Sequence, residues 1–186
     1  MFFVFFWVYL LYSADSNPAA GAIRAVVLRG AGARAFCAGA DISGFGGPEK
    51  AEKPRNATLP EVIHALEALP VPTVACIQGF ALGGGFELAL GCHFRVMADT
   101  AKLGLPEVAI GLLPGAEGTQ RLPRIMGAEN ALALILSGEH VSAEQALRWK
   151  CVDHVVPAAA NAANAANAAA AASPGGRGGG TSTTSR

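Results

Sequence analysis

The chain carries no net charge: its 14 Lys and Arg are cancelled by 14 Asp and Glu, and charged residues make up only 15% of it. A polyanion needs a basic surplus to displace its counterions, so no nucleic acid is expected as a partner. The four cysteines (Cys37, Cys76, Cys92, Cys151) form no C-x-x-C pair, and no histidine stands at metal-ligand spacing. That argues against a zinc site or a disulfide framework, and for reduced thiols in an intracellular compartment. No G-x-S-x-G elbow, no Walker A lysine and no helix-opening G-x-G-x-x-G occurs in the right place. No apolar run reaches the about 20 residues of a membrane-spanning helix. Met1–Tyr12 (MFFVFFWVYLLY) is apolar but shorter, and lacks the basic start of a secretory signal. Three readings compete for it: a weak signal, a buried strand, or an unrelated sequence joined to the domain. The third is favoured, and no stable membrane span is expected.

What is present is apolar. Hydrophobic residues account for 52% of the 186, enough for one domain with a sizeable core. Composition divides the chain into an atypical apolar segment (1–21), an informative segment (22–157) and an Ala/Asn- then Gly/Ser/Thr-rich tail (158–186). The tail is expected to be disordered, because its Gly/Ser/Thr end cannot build a core.

Within 22–157 strands and helices alternate. Arg24–Leu28 (RAVVL) reads as a buried strand ended by Arg29-Gly30-Ala31-Gly32. Thr58–Leu69 reads as a helix: Thr58 and Glu61 form a capping box, Pro60 sits in the first turn, and Val62, Ile63, Leu66 and Leu69 recur at helical spacing. Thr73–Ile77 is a second strand, running through a turn over residues 78–85 into a helix that extends to about Cys92. His93–Ala98 is a third strand. Ser142 and Gln145 cap a helix over Ala143–Lys150, and Val152–Val156 is a last strand. The order β-α-β-α-β with short links predicts an α/β layered fold.

Three motifs could carry chemistry. Gly83-Gly84-Gly85 lets backbone approach a ligand, and the first amides of the following helix lack internal partners. Glu87 falls one turn further on the face of Gly84. A carboxylate beside amides aimed at a developing oxyanion suits proton transfer next to a carbonyl. A packing run of glycines with a solvated glutamate explains the same residues equally well. The loop Phe36-Cys37-Ala38-Gly39-Ala40-Asp41-Ile42 could add a second amide. Leu103-Gly104-Leu105-Pro106-Glu107, followed by Gly111, Pro114, Gly115 and Gly118, sets Glu107 at the start of a rigid path. Taken singly, Glu107 reads first as an N-terminal helix carboxylate. His64, His93, His140 and His154 read as surface or packed histidines, and Asp99, Glu117 and Asp153 as ordinary surface charges.

Together, AFCAGADI, QGFALGGGFELALGC and KLGLPEVAIGLLPGAEGTQRLPRIMG, in this order, resemble the crotonase (enoyl-CoA hydratase/isomerase) superfamily over about Ala22–Pro157. ADISGFGGPEK and ELALGCHFRV narrow the likeness to the hydratase/isomerase half of multifunctional fatty-acid oxidation enzymes of the peroxisomal type. The resemblance implies an α/β spiral of ββα units, incomplete at both ends in this chain. It implies Glu87 and Glu107 as the acid/base pair and the amides of Ala40 and Gly84 as the oxyanion hole. Ala38, Gly39, Asp41, Ile42 and Gly83 fall to substrate binding. The implied substrate is an acyl-CoA thioester, hydrated across a trans-2 double bond or isomerised from the 3-enoyl form in fatty-acid β-oxidation. No metal or redox cofactor is implied, since coenzyme A is part of the substrate.

Departures from the family pattern accompany these motifs. Nothing in residues 1–21 resembles the family's opening, and the Ala/Asn tail stands where helices completing the CoA pocket and oligomer contacts are expected. A truncated, inactive fragment of the fold is therefore the alternative expectation. A homo-oligomer agrees with the resemblance, but its C-terminal contacts would be missing. A peroxisomal address follows from analogy alone, because the chain ends in Thr-Ser-Arg.

Overall fold

The computed structural model describes the backbone of residues 6–12 and all of residues 23–40 and 57–158. Among the described residues, nine strands fall into two sheets. In the first, β2 (Ile23–Gly30), β4 (Thr73–Ile77), β6 (Phe94–Ala98) and β9 (His154–Val156) run parallel, with β1 (Phe6–Tyr12) antiparallel on the β2 edge. The apolar run read as foreign to the domain thus holds a strand registered from Phe6↔Gly30 to Tyr12↔Ile23. Alternating apolar side chains on β2 offer no local sign that an antiparallel partner will come from the N-terminal side. That pairing is a tertiary outcome.

The second sheet consists of β3 (Ala35–Cys37), β5 (Phe80–Leu82) and β7 (Lys102–Gly104), all parallel, with β8 (Val141–Ser142) antiparallel to β7. Each turn of the chain therefore gives one strand to each sheet and then a helix. The turns are β2-β3-α1 (Leu59–Glu67), β4-β5-α2 (Gly84–Leu90) and β6-β7 followed by a 3-10 helix (Pro106–Ile110). This is the ββα spiral that the resemblance implies. The strands of the second sheet escape a periodicity reading because three residues cannot display alternation. Two further helices, α3 (Gly118–Met126) and α4 (Ala128–Ser137), start without a side-chain cap that would mark them locally, and α5 (Ala143–Arg148) precedes β9.

Local rules do fix several boundaries. The Thr58 side chain accepts from Glu61 N–H while Glu61 Oε2 accepts from Thr58 N–H at 2.7 Å, so both halves of the capping box are made. The Ser142 hydroxyl accepts from Gln145 N–H at the start of α5. Helix α2 is buried from Gly85 to Leu90 and packs against β3, β5, α1 and α3. A helix buried all round must have its last carbonyls satisfied by protein. The buried guanidinium of Arg95 does so, donating to the carbonyls of Ala89, Leu90 and Cys92. Asp153 in turn accepts from Arg95 N–H at 2.7 Å and faces its guanidinium at 3.6 Å, so Asp153 is an anchor for α2 rather than an ordinary surface charge. Asp99 also has a structural partner, accepting from Ala158 N–H at 3.0 Å. Among the described residues no helix is long and apolar enough to cross a membrane, and no group of three His, Cys, Asp or Glu could hold a metal ion.

Candidate active site

Parallel pairing of β3, β5 and β7 brings three distant segments to one end of the second sheet. The register Cys37↔Ala81 and Leu82↔Gly104 means that the chain leaves each strand at the same level. Gly39 follows β3, Gly83 and Gly84 follow β5, and Glu107 lies three residues past β7. A hydrogen bond from Gly83 N–H to Gly104 O at 3.0 Å extends the pairing to this edge. The carboxyl end of a parallel sheet is where open α/β sheets commonly bind ligands.

Contacts are so close there that side chains are excluded. A methyl added at Gly83 would stand 2.9 Å from Glu107 Oε1 and 4.0 Å from Gly39 Cα. One added at Gly39 would stand 3.2 Å from Leu82 O and 3.9 Å from Gly84 N. Gly39 (φ 105°) and Gly83 (φ 52°) also occupy backbone conformations that residues with a Cβ rarely adopt. The structure therefore gathers Gly39, Gly83, Gly84, Glu87 and Glu107. Gly84 is the first residue of α2, so its amide has no acceptor within the helix. Ala40 directly follows Gly39 and is half-buried like it, whereas Ala38 is exposed. Asp41 and Ile42, assigned to substrate binding above, lie outside the described residues.

The carboxylates differ in their surroundings. Glu87 is only 2% exposed, and its Oε1 accepts from two backbone amides, Ala116 N–H and Gly118 N–H, each at 2.8 Å. Its Oε2 lies on the other side, 4.0 Å from where a methyl on Gly84 would stand. Burial raises the Glu87 pKa above the usual carboxylate range, opposed by those two amide hydrogen bonds and by the Arg121 charge. Glu107 is the second residue of the 3-10 helix, directly after Pro106. Its Oε2 is buried and has no hydrogen-bond partner. Burial raises this pKa too; the residue's own amide opposes the shift and the Glu87 charge adds to it. A carboxyl with an unpartnered buried oxygen is held ready for a proton or a ligand atom, since leaving it unmatched is costly.

A consequence for stability has a definite sign. A raised folded pKa means that the native state keeps a proton the unfolded chain has already lost, so stability falls as pH rises from the ordinary glutamate range through the raised value. Glu107→Gln should therefore melt higher than the parent at pH 7.5, with the advantage vanishing near pH 4. Thermal unfolding at the two pH values checks this. A variant less stable at both would show that the carboxylate is not penalised.

Glu117 is not the ordinary surface charge expected. It sits in the left-handed region (φ 68°), a conformation costing a residue with a Cβ about 1–2 kcal/mol, and occupies the N-cap of α3. Its carboxylate lies 3.2 Å from Arg121 Nη2 and 3.0 Å from His64 Nε2. Arg121 also binds Glu67 through two hydrogen bonds, which hold the Glu67 carboxyl below its usual range. Sequence reasoning missed Arg121 and Glu67. The i,i+4 spacing of Glu117 and Arg121 was readable on a helix, but Glu67 comes from 54 residues away. Of the other histidines, His93 hydrogen-bonds Thr73, and His140 packs edge-on against Phe80.

A family model described as enoyl-CoA hydratase/isomerase matches residues 11–174. The peroxisomal bifunctional enzyme of Danio rerio is 53% identical over 133 residues, which is 72% of this chain and 18% of that protein. The fatty acid oxidation complex subunit alpha of Shewanella loihica is 50% identical over 139 residues, covering 73% of this chain and 20% of the other. The chain thus spans about a fifth of the length of these curated relatives. Among solved structures, the enoyl-CoA hydratase from Bacillus anthracis matches with a TM-score of 0.68 at 38% identity, over 85% of this chain and 60% of the other.

Proposed function

This chain belongs to the enoyl-CoA hydratase/isomerase family, and from that premise we propose that it adds water to trans-2-enoyl-CoA thioesters in fatty-acid oxidation. The observation carrying the reading is the approach of Glu87 and Glu107 to the same Gly83-Gly84 backbone, in a site where burial raises both pKa values. The thioester oxygen binds between the amides of Ala40 and Gly84. Negative charge moves onto that oxygen as water attacks the β-carbon, and the amides stabilise the enolate; one such donor is typically worth about 2.7–4 kcal/mol of barrier. Glu87 takes the proton from the attacking water, and Glu107 delivers a proton to the α-carbon. Ala38, Gly39 and Gly83 border the acyl-CoA channel, where small residues and bare backbone admit the flat thioester. The paired carboxyls and the two amides supply every proton and charge the addition requires, so the reaction proposed uses no metal or redox cofactor.

A second activity is favoured by one observation. The unpartnered Glu107 Oε2 can carry a proton by itself, which is all that moving a 3-enoyl double bond to position 2 demands beyond enolate stabilisation. The names of the relatives support a role in fatty-acid oxidation, and the zebrafish relative's name supports a peroxisomal address.

Purified protein mixed with crotonyl-CoA tests the reading through loss of the conjugated enoyl-thioester absorbance. Turnover is the expected result, with an acidic limb in the pH–rate profile displaced above the ordinary carboxylate range, because the base must lose its proton from a site that favours keeping it. Absence of turnover at any protein concentration would replace this reading with that of an inactive fragment.

A further inference from the structure

Glu87 is held by a turn whose outward-facing ties converge on one side chain that the reaction scheme does not use. The turn is Ala116-Glu117-Gly118, and its first and third amides are the two that donate to Glu87 Oε1. Arg121, 8% exposed on α3, donates from Nη1 to Ala116 O at 2.9 Å. Its Nη2 lies 3.2 Å from Glu117 Oε2, within the same turn. The guanidinium is fixed by Glu67 on α1, with Nε to Oε1 at 2.7 Å and Nη2 to Oε2 at 3.0 Å. Glu117 also meets His64 of α1 at 3.0 Å. A left-handed residue in the middle of the turn gives it a reason to relax, and either flanking peptide that rotated would carry an amide away from Glu87.

We propose that Arg121, anchored by Glu67, is a positioning residue that locks the Ala116–Gly118 turn and thereby aims the Glu87 carboxylate. A planar guanidinium can satisfy a carbonyl and two carboxylates at once in fixed directions, which an ammonium cannot. The charged groups acting on Glu87 are Arg121 and Glu117 from the α3 side and Glu107 from the 3-10 helix. With the turn unlocked, Glu87 loses two donors to its ionised form and is protonated more easily. The inference rests on the reading of Glu87 as the base only for its consequence on rate.

The test compares the full chain with Arg121→Met, Arg121→Lys and Glu67→Gln. Carbon NMR of protein labelled at its glutamate carboxyls follows the titration of Glu87 directly, its resonance assigned by its loss in Glu87→Gln. The Glu87 midpoint should rise in all three variants, including Arg121→Lys, which keeps the charge but not the fork. With crotonyl-CoA, kcat should fall about 10²-fold in Arg121→Met, as expected for a catalytic group displaced by an ångström, with KM little changed and the acidic limb moved upward. Added to Glu87→Gln, Arg121→Met should cause no further loss. An unmoved Glu87 midpoint, or losses that multiply in the double variant, would overturn the proposal. Should Arg121→Met fail to fold, Arg121→Lys and Glu67→Gln carry the same comparison. If the parent chain gives no turnover, the hydratase reading falls while the titration still decides whether Arg121 holds the turn.

Discussion

Glu107→Gln will slow crotonyl-CoA hydration by roughly 10²–10⁴-fold, the range typical for loss of one general acid–base group, while leaving the fold intact. Glutamine keeps the size of the side chain and removes only the proton that must reach the α-carbon. Because burial already disfavours the Glu107 charge, the variant should be more stable at neutral pH as its activity disappears. A loss of activity caused by misfolding would move both measurements in the same direction. Glu87→Gln should also slow hydration by roughly 10²–10⁴-fold, leaving a measurable residue, since the water loses its general base. It should spare isomerisation of a 3-enoyl thioester, in which Glu107 alone carries the proton. Hydration by Glu107→Gln within tenfold of the parent would remove Glu107 from the acid role.

The other large effect is expected at a residue with no chemistry of its own. Gly85→Ala would place a methyl 2.2 Å from Cys37 O and 2.6 Å from Cys37 Cβ, where the obstacle is mainly backbone and cannot swing aside. Inserting atoms into a packed interior costs about 1–3 kcal/mol and occasionally more, and this contact belongs at the upper end. For a chain of this size that lowers Tm by roughly 6–12 °C, taking 2–4 °C per kcal/mol. The obstacle also separates α2, which begins with the Gly84 amide, from the segment leading out of β3 to Ala40. If those two amides serve one oxygen, spreading them by about an ångström should cost about 10²-fold in rate, even well below the melting temperature. Gly32→Ala, where a methyl would meet nothing within 4 Å, is the matched control and should change neither quantity. A Gly85→Ala protein that melts with its parent would mean that helix and strand are not in the close contact described.

Much of this molecule is written in short-range patterns. The Thr58/Glu61 capping box, the apolar spacing of α1, the five-residue strand Thr73–Ile77 and the serine cap of α5 all depend on residues no more than a few positions apart. Each was legible because backbone preference and i,i+3 or i,i+4 geometry act within a single turn or strand. The two glutamates and the glycine run could be picked out for the same reason, as residue types suited to a chemistry. Their meeting could not.

Only the tertiary structure decided that meeting, through sheet register. Three-residue strands have too few side chains to announce themselves, and β3, β5 and β7 exist because parallel neighbours supply their hydrogen bonds. That register sets Glu107 beside Gly83 and, with α2 packed beneath, turns Glu87 towards amides 29 and 31 residues further along the chain. It also makes Glu117, Arg121 and Glu67 one assembly and gives the apolar run Phe6–Tyr12 a place as an edge strand. Sequence determined which groups were available and which local shapes they prefer. Long-range pairing, whose free energy belongs to no single stretch of chain, determined which of them touch.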